Sequence, residues 1–283
     1  MPMRGHTGSH PTMRPSGWRQ WLKERAAKAG YCSRPTALII GAQKAGTSAL
    51  YEVLRQHNSI TSASTKEVHF FDRDEWYLTP GSVHTYHSFF PWLFLTPSDG
   101  VVFEASPRYL FHPKAAERIY RYDPTVKLIV MLREPAARAL SAWTMYHHHF
   151  EARIARRHDP RSFREAIEES LAAIDSDDYA SDPVSYVKRG LYRQQIDRYL
   201  ALFPRENLLF LEDRDLRERF EPTVAKICEF LGVRAEALKP TASNTSRVDN
   251  KREYDDIIEV LHDFYRPHNI ALFEQIGREF NWG

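Results

Sequence analysis

The segment Leu38-Ile-Ile-Gly-Ala-Gln-Lys-Ala-Gly-Thr-Ser-Ala-Leu-Tyr51 constrains the fold of this chain more than any other. An apolar run ends at a glycine, a short turn carries a second glycine, and helical patterning begins at Thr47 or Ser48. A strand, turn and helix in that order aim the turn amides and the helix N-terminus at one point, and that point favours an anion. Gly41 and Gly46 permit a bend that a Cβ would resist. Lys44 adds a full positive charge, and Thr47 and Ser48 add hydroxyl donors.

The remaining patterning fits the architecture such a segment requires. Apolar runs at 37–40, 100–104, 127–132 and 207–211 read as buried strands, each followed by helical periodicity. Helices are expected at 47–56, 113–122, 134–150, 162–173, 185–203, 222–231 and 253–264, with more helix after Pro267. Ser162-Phe-Arg-Glu165 is a capping box, and Gly232 ends the helix before it. The expectation is one α/β domain over residues 36–283, a central parallel sheet flanked by helices with a P-loop-like phosphate turn. A chain of 283 residues is long enough for one sizeable core. Residues 151–184 are polar and acid-rich and read as an insertion with one helix, of the kind that forms lids.

Charge is uneven along the chain. Residues 1–36 hold seven Lys or Arg and one acid, whereas the whole chain has a formal net charge of only +2. Residues 1–35 are therefore a basic leader, partly disordered in expectation, or a contact arm for an acidic partner. Trp18, Trp21 and Leu22 suggest that its last part folds back as a short helix. The small overall charge gives no field for nucleic acid. The chain has no 18-residue apolar run for a membrane span, and the leader has no apolar stretch resembling a secretory signal. Cys32 and Cys228 match neither a disulfide framework nor a zinc spacing, which suits a reducing, cytoplasmic setting.

The nucleotide P-loop reads G-x-x-x-x-G-K-[ST]. Gly41 and Gly46 have its separation, but Thr47 stands where the lysine belongs and Lys44 comes earlier. No apolar strand is expected to end in an aspartate for magnesium, and the strand at 128–132 runs into Arg133. The loop therefore suits a phosphate whose neighbouring group needs no metal, and a sulfuryl group carries less charge than a terminal phosphoryl group.

This loop resembles the 5′-phosphosulfate loop of sulfotransferases that use 3′-phosphoadenylyl sulfate (PAPS), above all the heparan sulfate N- and 3-O-sulfotransferase branch. Lys66-Glu-Val-His-Phe-Phe-Asp72 is similar to that branch's acidic catalytic segment. Phe103-Glu-Ala-Ser-Pro-Arg-Tyr-Leu110 resembles its next strand and turn. Leu132-Arg-Glu-Pro-Ala-Ala-Arg-Ala-Leu-Ser-Ala-Trp143 resembles its 3′-phosphate motif. Gly190-Leu-Tyr-Arg-Gln-Gln-Ile-Asp-Arg-Tyr-Leu200 and Phe264-Tyr-Arg-Pro-His-Asn269 also match its layout, and order and spacing hold from about residue 36 to 282.

The resemblance implies roles. Gln43, Lys44, Ala45, Gly46, Thr47 and Ser48 would surround the 5′-phosphosulfate, and Arg133 with Ser141 would grip the 3′-phosphate. Ser246 and Arg247 would approach the nucleotide, whereas Arg138 reads as a solvated helix residue. Lys44 would face the bridging oxygen, where negative charge grows as the S–O bond breaks. Glu67 would be the general base, its pKa raised by burial against the opposing charges of Lys44 and Lys66. His69, two residues on along a strand, would share its face and either orient the acceptor or act as the base. Ala105 departs from the branch, which has a catalytic-site lysine there, and Arg108 is the nearest substitute.

PAPS would be co-substrate and adenosine 3′,5′-bisphosphate the product, with no metal required. The acceptor would be a small molecule, a saccharide or a carrier-linked group bearing a hydroxyl or amine, with the aromatic stretch 76–92 lining its cleft. Oligomeric state is not readable. His147-His148-His149 does not read as a metal site, because successive helical residues point about 100° apart. Two other functions compete: a P-loop kinase or NTPase, which needs the lysine and magnesium carboxylate lacking in this pattern, and a non-catalytic nucleotide-binding regulator.

Overall fold

A computed structural model describes residues 17–148, 158–176, 185–241 and 251–282. Five parallel strands form one sheet: β1 (Ala37–Gly41), β2 (Ile60–Ser62), β3 (Val101–Ala105), β4 (Lys127–Leu132) and β5 (Leu208–Glu212), in the order β2-β3-β1-β4-β5. β1 pairs with β3 from Ala37↔Phe103 to Ile39↔Ala105, and with β4 from Ala37↔Lys127 onward. Every residue of β1, β3 and β5 is buried on both faces, so these strands are near-continuous apolar runs rather than alternating ones, interrupted by Glu104 and Glu212. β2 escaped the sequence reading because three residues, Ile60-Thr-Ser62, make no apolar run.

The chain leaves β1 for the edge strand β2, returns to β3, then crosses β1 to β4 and β5. The order reverses at β1, so the carboxyl ends of β1, β3 and β4 border one crevice, where open α/β sheets bind ligands. The helices are α1 (Trp18–Lys28), α2 (Thr47–Leu54), α3 (Asp74–Tyr77), α4 (Ser82–His87), α5 (Ala115–Tyr122), α6 (Pro135–His148), α7 (Phe163–Ala172), α8 (Tyr192–Leu200), α9 (Asp215–Glu218), α10 (Phe220–Leu231) and α11 (Asp255–Ile276). The main core surrounds the sheet. A second core joins α6, α7 and α11 through Trp143, Phe163, Ile167, Leu261 and Tyr265.

Several elements differ from the sequence reading. The helix expected over 185–203 is a 3₁₀ turn, Lys188–Gly190, followed by α8. The Val187 carbonyl there accepts from the Tyr265 hydroxyl of α11, a contact made only in the folded chain. α11 runs unbroken through Pro267. α1 forms, yet Trp18, Trp21 and Leu22 face solvent. Its docking is made by Gln20, which donates to Ser88 Oγ at 2.6 Å, and Lys23, which donates to the Phe90 carbonyl at 2.6 Å. The capping box forms as read, with Ser162 and Glu165 bonded reciprocally. Much of 151–184, and the Asn244-Thr-Ser-Arg247 segment, lie outside the described residues.

Candidate active site

The phosphate loop spans the end of β1 and the start of α2. A Cβ on Gly41 would stand 2.4 Å from Leu110 Cβ, so only glycine allows β1 to run this close to the turn after β3. Gly46 caps α2 at φ 83, a left-handed conformation that suits glycine. Among the described residues, the amides of Gln43, Lys44, Gly46, Thr47 and Ser48 donate to no carbonyl or side chain. Unpaired amides at a helix start make an anion site. Gln43 donates to Tyr146 Oη and accepts from Arg189, each at 3.2 Å, while Ala45 and Thr47 are buried and Ser48 is exposed.

Two arginines stand beside the loop. Arg133, just beyond β4, donates to the Lys44 carbonyl at 3.2 Å, and Ser141 is buried on α6. Arg138 is not solvated: it is fully buried, donates to the Tyr186 carbonyl, and leaves Nε and Nη1 without a partner among the described residues. Its α6 face turns inward because the second core covers that helix, which single-helix patterning did not show. Burial lowers the Lys44 pKa, and the charges of Arg133 and Arg138 lower it further.

An aspartate does stand at this sheet edge, contrary to the sequence reading. Asp213 follows β5, and its Cβ lies 3.7 Å from the Cβ position of Gly46. It accepts from Arg217 at 2.9 Å and lies 3.8 Å from Arg133 Nε, so its charge is engaged by two guanidiniums.

The Lys66–Asp72 segment is not a strand. Glu67 and His69 adopt φ values of 61° and 59°. Left-handed backbone costs non-glycine residues about 1–3 kcal/mol each. Alternation along a strand therefore does not explain their meeting; the double turn does. His69 Nε2 lies 3.4 Å from Glu67 Oε2, and Nδ1 donates to Asp72 Oδ2 at 2.9 Å. Lys66 Nζ donates to Glu67 Oε1 at 2.6 Å. The Glu67 amide donates to the Ala105 carbonyl at 3.0 Å, which fixes the segment at the end of β3, beside the phosphate loop.

The electrostatics reverse one expectation. Burial pushes the Glu67 carboxyl up, but the His69 hydrogen bond and the Lys66 ammonium together bring it down to about 2. Burial depresses His69, yet hydrogen bonds to Asp72 and Glu67 outweigh it and raise the imidazole to about 9. Near neutral pH the site holds an imidazolium between two carboxylates. Asp72 was overlooked as a functional residue; a carboxylate three positions after His69 was the available signal. Arg108 turns to Asp72 at 3.5 Å rather than filling the place of a lysine at Ala105, and Lys66 is the cation on Glu67. Tyr86 and Phe90 of the 76–92 stretch are core residues rather than cleft lining. His147 donates to the Asp159 carbonyl at 2.9 Å and stacks on Trp143.

A parallel sheet with a loop of unpaired amides at its switch point, an arginine beside that loop and the Glu67–His69 pair at the neighbouring strand end form the kind of crevice an α/β group-transfer enzyme uses. The sulfotransferase domain model matches residues 34–257. A human heparan sulfate glucosamine 3-O-sulfotransferase 6 is 28% identical over 273 residues, covering 88% of this chain and 74% of that protein. The mouse heparan sulfate glucosamine 3-O-sulfotransferase 5 is likewise 28% identical, over 274 residues, with the same coverage. A crystal structure of a sulfotransferase from Alicyclobacillus acidocaldarius is 31% identical, covers 88% of this chain and 98% of that one, and superposes with a TM-score of 0.65. The chain belongs to the sulfotransferase family and is an enzyme of sulfuryl transfer.

Proposed function

We propose that this enzyme transfers a sulfuryl group from PAPS to an acceptor hydroxyl or amine and releases adenosine 3′,5′-bisphosphate. The observation that carries the reading is the set of unpaired loop amides, with Lys44 and Arg133, at the same sheet edge as the Glu67–His69 pair. The amides hold the 5′-phosphosulfate, and Lys44 meets the charge that develops on the bridging oxygen as the S–O bond breaks. Arg133 and Ser141 take the 3′-phosphate; the roles of Ser246 and Arg247 at the same nucleotide rest on the family resemblance, since both lie outside the described residues.

The acceptor oxygen or nitrogen attacks sulfur in line, and its proton passes to Glu67. His69, held between Glu67 and Asp72, orients Glu67 in this reading rather than serving as the base. Lys66 supplies the cation that Ala105 lacks. The reading needs no metal, and Asp213, which follows β5, is paired with Arg217 and Arg133. The relatives' names point to a saccharide as acceptor class. Cys32 and Cys228 are buried free thiols, which suits a cytoplasmic enzyme, and no helix among the described residues is long and apolar enough to cross a membrane.

Incubation with ³⁵S-labelled PAPS and a panel of saccharide, small-molecule and carrier-linked acceptors, with magnesium chelated, tests the reading. Label should pass to at least one acceptor class with stoichiometric formation of the bisphosphate. Transfer that depends on magnesium, or turnover of ATP instead of PAPS, would overturn it.

A further inference from the structure

Behind the double turn at Glu67 and His69 lies a carboxylate with no cationic partner among the described residues. Glu104, on β3, is fully buried, and three hydroxyls donate to it. Tyr86 and Tyr109 reach Oε1 at 2.8 and 2.9 Å, and Ser106 reaches Oε2 at 2.8 Å. A hydroxyl has one proton. With that proton committed to Glu104, the lone pairs of Ser106 and Tyr109 face outward as acceptors. They receive the backbone of the catalytic segment: the His69 amide donates to Ser106 Oγ at 3.2 Å, and the Phe70 amide donates to Tyr109 Oη at 3.0 Å. The third hydroxyl works on the same residues through its ring, since Tyr86 stacks on Phe70 with centroids 4.5 Å apart.

All three donors of Glu104 thus converge on residues 69 and 70, next to the left-handed turns that bring the Glu67 carboxylate and the His69 imidazole together. We propose that Glu104 is the positioning residue of the catalytic segment, setting the direction of two hydroxyl relays that hold the backbone of His69 and Phe70. The inference rests on the roles given above to Glu67 and His69. Ionised Glu104 is the form that acts, because a protonated carboxyl would donate to one hydroxyl and reverse its relay. Burial raises the Glu104 pKa above the ordinary carboxylate value and outweighs the three hydroxyl donors and the nearby His69 charge, which favour the ionised form.

The test compares Glu104→Gln, Ser106→Ala and Ser106→Thr in the full chain. Thermal melting establishes folding, and calorimetry measures affinity for adenosine 3′,5′-bisphosphate. NMR titration of the imidazole follows His69, and steady-state kinetics separate kcat from KM for PAPS. Glu104→Gln reverses the Ser106 relay, and Ser106→Ala removes it while leaving every charge in place. Both should lower the His69 pKa from about 9 by roughly one unit, as the ring loses its alignment with Glu67 and Asp72. Both should lower kcat about tenfold or more, with nucleotide affinity and KM for PAPS within about twofold. Ser106→Thr, which keeps the hydroxyl, should restore both values. A His69 pKa unmoved by Ser106→Ala would overturn the proposal, even if Glu104→Gln shifted it, because loss of a nearby charge alone would then account for the shift. If Glu104→Gln does not fold, the Ser106 pair decides the matter. If wild-type protein transfers no sulfuryl group, that reading falls, while the titration still decides the positioning.

Discussion

Lys44 and Glu67 occupy opposite ends of the proposed proton and charge flow, and their variants separate binding from chemistry. Lys44→Ala should lower kcat more than it weakens nucleotide binding, because the loop amides still hold the 5′-phosphate while the leaving oxygen loses its cation. A loss confined to KM for PAPS would make Lys44 a binding residue only. Glu67→Gln should keep bisphosphate affinity and lose about 10²–10⁴-fold in rate. His69 carries the pH dependence. Its folded pKa of about 9 lies above its ordinary 6.5, so its contribution to stability is complete below pH 6.5 and is lost as pH rises through about 9. Glu67 has the opposite sign, contributing above pH 4.5 and losing that contribution as pH falls through about 2. Turnover should therefore hold from neutrality to about pH 8 and fall through about 9 as the imidazolium deprotonates. His69→Ala should lower the rate less than Glu67→Gln and abolish that alkaline limb. A limb that persisted in His69→Ala would assign it to another group.

At the scale of elements, close approaches and caps fix where side chains can reach. Gly41→Ala would drive a methyl group into Leu110, whose Cβ would lie 2.4 Å away, so the end of β1 or the turn after β3 must move. Melting temperature and bisphosphate affinity should both fall, the second because the loop amides leave their common focus. The capping box lies at the exposed start of α7, whose Phe163, Ala166 and Ile167 pack into the second core. Ser162→Ala should cost about 1 kcal/mol in denaturant unfolding. The box was legible because its signal lies within four consecutive residues. The phosphate loop was legible for the same reason. The break before α8 was not, because it depends on Tyr265, 78 residues away from Val187. The turns at Glu67 and His69 were hidden too: left-handed backbone is uncommon in any non-glycine residue, and the strand reading followed alternation alone.

For the molecule as a whole, the crevice at the switch point predicts a nucleotide preference. Adenosine 3′,5′-bisphosphate should bind far better than AMP, since two charge-assisted contacts to the 3′-phosphate contribute roughly 3–6 kcal/mol before desolvation. Ligand-linked melting reads this directly: a hundredfold excess over Kd stabilises by about 2.7 kcal/mol, and AMP at the same concentration should do much less. Equal affinities in calorimetry would remove Arg133 and Ser141 from the 3′-phosphate. The sequence by itself determined the α/β class, the strands of the sheet interior and the strand–turn–helix loop between β1 and α2. Each is written in consecutive residues, as an apolar run, a glycine spacing or a cap, and local sterics and burial act on such runs wherever they occur. Only the tertiary structure decided that Arg138 is buried and that Asp213 reaches Arg133. It alone set the imidazolium of His69 between Glu67 and Asp72, with Glu104 behind it. Those outcomes depend on desolvation and on partners from other elements, and neither quantity exists until the sheet has brought the strand ends together.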